Sequence, residues 1–324
     1  MNSKPDEIMD HIKVFAPASI GNLSVGFDAL GLALSPADGT LLGDIVSLAL
    51  TKEDDWSLEV SGTFASELPD EVEDNVVLAS CRRFQQAVNQ RGDIVRPLKA
   101  HLEKRMPIGS GLGSSASSVV AALEALNRFF RHPLTNLELF ELMAEMEGSI
   151  SGDVHLDNIA PSLYGGLRLC PPASQDVHAL PWPGAWRVVV CWPGTRLETK
   201  KARAVLPDAV SRSIAIEQAS NFACFIHALH VGDASLAGKS VIDLIAEPHR
   251  SGLLPGFESA KTALKDLGAI AVGISGSGPT VFAIVDDYEA GNAVEVWLDN
   301  NYRANDRGFV HICRADLGGA RSIA

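Results

Sequence analysis

The glycine- and serine-rich segment Pro107–Ser118 (PIGSGLGSSASS) constrains this chain more than any other feature of its sequence. Its three alternate glycines let the backbone come close to a ligand, because glycine has no side chain to hold the ligand away. Apolar residues then recur on one helical face, which predicts a helix from Ser114 to Phe130. A helix N-terminus presents free N–H groups and a partial positive charge to an anion. The segment therefore predicts a phosphate-binding loop.

Two familiar phosphate-binding motifs do not account for this loop. A Walker A loop has a lysine after its last glycine, and none follows here. A dinucleotide-binding fold needs a parallel strand after the first helix. Here the chain enters a second predicted helix, which opens with a capping box of Thr135 and Glu138 and stops near Gly148. The remaining structural alternative is a flexible turn capped by serine.

Composition and charge limit the class of protein. The chain has 324 residues, more than the ~250 to 300 that one hydrophobic core can serve, so two domains are expected. Apolar residues make up 46% and charged residues 21%, as is typical of a globular protein. The formal net charge of −13 argues against nucleic acid or an anionic membrane as a partner. An anion site would need backbone N–H groups, a metal ion and a few basic side chains to overcome this field.

Signals for location and redox state are few. The longest apolar run, residues 269–285, is interrupted by polar residues and falls short of the ~18 residues of a membrane span. The first residues (MNSKPDE) lack the basic patch and apolar stretch of a secretory signal, so a cytoplasmic protein is expected. The five cysteines form no CxxC pair, which favours reduced thiols in the core.

Strand and helix patterns are interleaved without regular alternation, which predicts an α+β fold. A proline-rich change of composition suggests two domains, residues 1–170 and 171–324. The predicted strands cover residues 46–50, 56–60, 98–103, 187–192, 269–275 and 281–285, and the further helices cover 75–88, 211–230 and 258–267.

Three segments resemble, in the same order, the three motifs of the GHMP kinases, which include galactokinase, homoserine kinase and mevalonate kinase. Pro107–Ser118 is similar to the central motif. Pro17–Asp28 (PASIGNLSVGFD) is similar to the first motif in the form typical of homoserine kinases, and Gly273–Thr280 (GISGSGPT) to the third. The chain departs from the usual first motif at Ile20-Gly21 and at Ser24. The three segments bracket nearly the whole chain, so the resemblance covers both predicted domains.

The resemblance implies a two-domain GHMP kinase fold and a reaction. The N-terminal domain would be similar to domain 2 of ribosomal protein S5, the C-terminal domain would be ferredoxin-like, and the protein would form a homodimer. ATP would bind at the loop, with Mg²⁺ held by Ser115 and Glu147, which would also act in catalysis. The implied nucleotide-binding residues are Asn75, Pro107, Ile108, Gly109, Ser110, Gly111, Leu112, Gly113, Ser114, Ser115, Ala116 and Ser117.

The homoserine kinase form of the motifs implies L-homoserine as the substrate, phosphorylated to O-phospho-L-homoserine for threonine biosynthesis. Arg203 and Arg250 would hold the substrate carboxylate, since the guanidinium fork matches a carboxylate through two N–H donors. Asp28 would bind the substrate ammonium. The resemblance adds Asn22, His155, Asp157 and Thr199 to this end of the site.

Several interpretations stay open at this point. Asp157 falls where mevalonate kinases have a catalytic aspartate, so it is a candidate general base, although homoserine kinases are argued to work without one. In an extended chain Asp153, His155 and Asp157 would share one face and could instead bind a metal. The first motif lacks the lysine that mevalonate kinases have there, which argues against mevalonate as the acceptor. A sugar or mevalonate-like acceptor is the second functional hypothesis, and a non-catalytic metabolite sensor is the third.

Overall fold

A computed structural model describes residues 10–151, 154, 156–172, 174 and 176–324. Its strands are β1 (His11–Pro17), β2 (Ser19–Gly21), β3 (Leu30–Pro36), β4 (Gly43–Leu50), β5 (Ser57–Ser61), β6 (Leu98–Glu103), β7 (Leu167–Leu169), β8 (His178–Leu180), β9 (Arg187–Trp192), β10 (Ala271–Ile274), β11 (Val281–Val285), β12 (Phe309–Ala315) and β13 (Arg321–Ser322).

The α-helices of the described residues are α1 (Val76–Asn89), α2 (Ser114–Phe129), α3 (Asn136–Ser151), α4 (Leu156–Tyr164), α5 (Thr199–Ala204), α6 (Arg212–Val231), α7 (Ala234–Ser240), α8 (Glu247–Arg250), α9 (Phe257–Asp266) and α10 (Tyr288–Asn301). Short 3₁₀ turns lie at Ala65–Glu67, Val72–Asp74 and Ser251–Leu253. Helices and strands are interleaved along the chain, so the predicted α+β class is confirmed.

Within the described ranges the strands form two sheets. The first has five strands in the order β13-β1-β4-β6-β5, antiparallel except for the parallel pair β5 and β6. The second has eight strands; β10-β11-β9-β12-β3-β7-β8 lie side by side, and β2 also pairs with β3. Both sheets join strands from the two halves of the chain, since β1 pairs with β13 and β3 pairs with β12. The division at residue 170 stays a prediction.

Helix α2 lies in the middle of one core. It packs on β1 and β4 of the five-stranded sheet and is flanked by α1 and α3. All of its residues are buried except Ser115 and Arg128, although a single apolar face is expected from the sequence. A helix covered on every side can be apolar all round. This burial fixes the N-terminus of α2, and with it the end of the predicted phosphate loop.

Several local predictions can be compared with the structure. The capping box is confirmed, because the Glu138 carboxylate accepts from the Thr135 N–H at 2.8 Å and the Thr135 hydroxyl accepts from the Glu138 N–H at 3.3 Å. The predicted stop near Gly148 is wrong, since α3 continues to Ser151. Four cysteines are buried as predicted, whereas Cys224 is exposed on α6.

The metal-binding alternative depended on an extended chain from Asp153 to Asp157, and the described part of this stretch is not extended at Asp157. Asp157 lies in the first turn of α4, which begins at Leu156. Asp153 and His155 lie outside the described residues. No helix of the described chain combines the length and apolar character that crossing a membrane requires.

Candidate active site

The three glycine-containing segments that resemble family motifs meet in space. The Ser275 hydroxyl donates to the carbonyl of Gly111 at 2.6 Å, and the Gly276 N–H donates to the carbonyl of Gly21 at 3.1 Å. The Ser19 N–H donates to the carbonyl of Leu112 at 3.1 Å. The loop at the start of α2 is therefore held from two sides by segments that are remote in sequence.

The loop glycines are required by this packing as well as by any ligand. Gly111 has φ +81°, and a Cβ atom there would lie 2.4 Å from the carbonyl oxygen of Ser275 and 2.8 Å from that of Gly278. Gly113 has φ +68°, and its Cβ would lie 2.4 Å from the Ser19 hydroxyl. Both residues adopt the left-handed conformation that side chains disfavour. A side chain at either position would separate the motifs.

Beneath the loop lies a buried ion pair that the sequence reasoning missed. The Lys104 ammonium is 2% exposed and lies 2.5 Å from the Asp44 carboxylate, which is fully buried. It also contacts the hydroxyl of Ser114 at 2.7 Å and that of Ser118 at 3.0 Å. A positive charge is thus fixed under the first turn of α2, where the N–H groups have no intrahelical acceptor. The available signal was a lysine directly after a predicted strand and three residues before the glycine loop begins at Pro107.

A cleft with a volume of about 780 Å³ opens above the loop. Most of the predicted site residues line it: Asn22, Asp28, Ile108, Gly109, Ser110, Gly111, Gly113, Ser114, Ser115, Glu147, Asp157, Thr199, Arg203 and Arg250. Others support it from outside: Asn75, Pro107, Leu112, Ala116 and Ser117. The Asn75 side chain caps α1 by accepting from the Val77 N–H, and the Ser117 hydroxyl donates to the carbonyl of Ala16. His155 lies outside the described residues.

Ser115 and Glu147 fit a hard divalent cation such as Mg²⁺. The Ser115 hydroxyl is buried and lies beside the Glu147 carboxylate. Glu147 is 6% exposed, and burial raises the pKa of its carboxyl; the nearby Ser115 hydroxyl and the Lys104 charge oppose that rise. A cation beside the two oxygens would stabilise the ionised carboxylate. A carboxylate and a hydroxyl are oxygen ligands of the kind Mg²⁺ accepts together with phosphate oxygens and water.

Charged side chains gather at the other end of the cleft. Asp28 binds Arg203 through both carboxylate oxygens, at 2.9 and 3.2 Å. Arg250 is 3% exposed and donates to the carbonyls of Ala202 at 3.1 Å and Gly276 at 2.9 Å. Both guanidinium groups lie over the Phe27 ring, with Cζ atoms 6.0 Å (Arg203) and 5.3 Å (Arg250) from its centroid. Asp28, the predicted ligand of the substrate ammonium, and Arg203, a predicted ligand of the substrate carboxylate, therefore bind each other in this structure.

Asp157 lies beside this group. Burial, and secondarily the charge of Asp28, raise the pKa of its carboxyl to about 7. One of its oxygens accepts from the Asn22 N–H at 3.2 Å. Asn22 has φ +69°, and its amide oxygen accepts from the Asp28 N–H at 2.8 Å. The first motif thus fixes the positions of both acidic groups through a strained turn.

Comparison with known proteins connects this geometry with a family. The family model described as the GHMP kinases N terminal domain matches residues 75–166, and the one described as GHMP kinases C terminal matches residues 225–304. The crystal structure of homoserine kinase from Cytophaga hutchinsonii is similar with a TM-score of 0.90 and 34% identity, over 99% of this chain and 100% of that one.

Two further solved structures show a likeness of fold. A putative homoserine kinase from Listeria monocytogenes has a TM-score of 0.70 and 24% identity, over 97% of this chain and 99% of that one. The mevalonate kinase of L. major in complex with R-mevalonate has a TM-score of 0.69 and 15% identity, over 96% of this chain and 98% of that one. The fold is therefore common to relatives whose described substrates differ.

Proposed function

The chain belongs to the GHMP kinase family, and we propose that it transfers the γ-phosphoryl group of ATP to the side-chain hydroxyl of L-homoserine. The product is O-phospho-L-homoserine, a precursor for threonine biosynthesis. GHMP kinases use ATP as the phosphate donor, generally with Mg²⁺. The choice of acceptor rests on the charged end of the cleft.

The observation that favours an amino acid is the two-point ion pair of Asp28 and Arg203 with Arg250 alongside. L-Homoserine has an ammonium and a carboxylate on one carbon atom. Its ammonium would bind Asp28 and its carboxylate the two arginines, so that one ion pair is exchanged for two. A sugar offers neither charge, and mevalonate offers no cation for Asp28. Arg250 is buried and Arg203 is partly buried, and guanidinium groups in such sites favour bidentate binding of a carboxylate.

The protein's part in the reaction is chiefly to position groups and to offset charge. The loop N–H groups and the N-terminus of α2 would hold the polyphosphate. Ser115 and Glu147 would hold Mg²⁺, which offsets negative charge on the phosphates when it is bound. The homoserine hydroxyl forms a bond to the γ-phosphorus while the bond to the bridging oxygen of ADP breaks. The hydroxyl proton goes either to Asp157 or to a γ-phosphoryl oxygen.

The acceptor is tested by ADP release from purified protein, ATP and Mg²⁺. The panel contains L-homoserine and two truncated alcohols that keep its spacing between the hydroxyl and the remaining charged group, 4-hydroxybutanoate without the ammonium and 3-amino-1-propanol without the carboxylate, together with mevalonate and galactose. We expect kcat/KM to be highest for L-homoserine and to fall for both truncated alcohols, because each leaves charged groups of Asp28 or the arginines without a ligand. Equal or better turnover of mevalonate or galactose would refute the proposal.

The proton route has its own test. Asp157→Asn keeps the shape of the side chain and removes its capacity to accept a proton. A general base contributes roughly 10²- to 10⁴-fold, so a fall of that size in kcat with little change in the KM for homoserine would assign the proton to Asp157. A kcat within a few fold of wild type would assign the proton to the phosphoryl oxygens.

The third hypothesis, a non-catalytic metabolite sensor, would be favoured by ATP binding without turnover of any alcohol in the panel.

A further inference from the structure

Five basic side chains line the cleft: Lys104, Arg196, Lys200, Arg203 and Arg250. Three of them are engaged by the protein itself, Lys104 by Asp44, Arg203 by Asp28 and Arg250 by two backbone carbonyls. Within the described part of the chain, Arg196 and Lys200 have neither an ion pair nor a side-chain hydrogen bond. The positive charges of these two side chains are therefore available to a ligand in the cleft.

Arg196 is exposed and lies at the glycine loop, in the segment that joins β9 to α5. The N–H of the next residue, Leu197, donates to the carbonyl of Gly109 at 3.0 Å. A Cβ atom at Gly109 would lie 2.6 Å from Cγ and 3.2 Å from Nε of Arg196. The aliphatic part of the arginine side chain thus lies against the first glycine of the loop. It occupies space that the Cβ atom of any other residue at position 109 would fill. Its guanidinium stands at the opposite end of the loop from Ser115.

We propose that Arg196 is a phosphate-binding residue, which contacts the phosphate chain of the nucleotide at the Gly109 end of the loop. The proposal rests on the function proposed above and adds a residue to its nucleotide site. With a net charge of −13, the protein repels a polyphosphate at long range and needs local cations to bind one. Guanidinium suits this task because its planar fork binds phosphate oxygens through two N–H donors. Lys104, in contrast, is already held by an acidic partner under the loop.

The test compares Arg196→Ala with Arg212→Ala. Arg212 is the first residue of α6, is exposed and lies outside the cleft, so its loss changes the net charge by the same amount. Calorimetry gives Kd for ADP and, by displacement, for adenosine, with thermal unfolding as a check on folding. We expect Arg196→Ala to weaken ADP binding roughly ten- to a hundredfold, the range for one charge-assisted contact, and adenosine binding by less than about twofold. Arg196→Lys should restore part of the ADP affinity.

Three results would overturn the proposal: an unchanged Kd for ADP in Arg196→Ala, equal losses for ADP and adenosine, or an equal loss in Arg212→Ala. Binding of ADP needs no phosphate acceptor, so this test is separate from the test of the substrate. A protein that binds ADP through Arg196 and phosphorylates none of the alcohols would refute the proposed function and leave this inference standing. Turnover of homoserine with unchanged ADP binding in Arg196→Ala would do the reverse.

Discussion

Gly111→Ala tests the claim that the three motifs form one unit through backbone contact. Gly111 has φ +81°, and a Cβ there would lie 2.4 and 2.8 Å from the carbonyl oxygens of Ser275 and Gly278. Both are backbone atoms of a turn that is hydrogen-bonded to the loop, so neither can move away without loss of stability. Gly92 provides a matched control, because it has φ +93° and no atom within 4 Å of its Cβ position. The two substitutions share the conformational penalty and differ in the contact.

The structure gives the size of the difference. A side chain in the left-handed region costs ~1 to 2 kcal/mol, which is all that Gly92→Ala should lose. Gly111→Ala must also push the turn away and break the 2.6 Å hydrogen bond from the Ser275 hydroxyl, whose net value is ~0.5 to 1.5 kcal/mol. With the strain that remains in the loop, we expect Gly111→Ala to lose ~2 to 4 kcal/mol.

Urea unfolding and ADP calorimetry together provide the assay. Gly92→Ala should lower the apparent free energy of unfolding and leave the Kd for ADP unchanged. Gly111→Ala should lower that free energy further and raise the Kd for ADP, since the loop amides are displaced. The reasoning would be refuted if the two variants lost equal stability, or if Gly111→Ala bound ADP as tightly as wild type.

Three further predictions concern single side chains. Arg250→Leu should raise the KM for homoserine roughly tenfold or more by removing a charged contact worth ~1.5 to 3 kcal/mol, while Arg250→Lys should lose less; an unchanged KM in the leucine variant would remove the carboxylate role. Glu147→Gln should lower kcat and raise the Mg²⁺ concentration for half-maximal rate, and a wild-type Mg²⁺ titration would reject it as a ligand. Burial raises the pKa of Asp157 from 3.8 to about 7, so the folded state binds its proton more tightly. The contribution of Asp157 to the free energy of unfolding should therefore fall as pH rises from about 4 to 7, so the difference in stability between wild type and Asp157→Asn should change over this range; a difference that is independent of pH would contradict the cause given for the shift.

Local patterns predicted the elements that have a clear beginning and end. The capping box of Thr135 fixes the start of α3 through neighbouring residues alone, so the sequence was sufficient to place it. The end of α3 was misplaced, because Gly148 lowers helix propensity by only ~1 kcal/mol and packing overrides a penalty of that size. The strands β1 to β3 were not predicted, since their nearly continuous burial gives little alternation to read.

The candidate site divides in the same way. The segment Pro107–Ser118 was sufficient to predict a glycine loop that opens a helix, because glycine conformation and helix N-termini are local properties, and phosphate binding at this loop stays a prediction. Tertiary structure alone decided the rest: that Lys104 is buried against Asp44 beneath the loop, that Asp28 and Arg203 bind each other, and that Arg196 lies on Gly109. The first pair is separated by 60 positions along the chain and the second by 175. The third pair, Gly109 and Arg196, is separated by about 90. No local pattern encodes such pairs, because they depend on how the two sheets bring distant segments together.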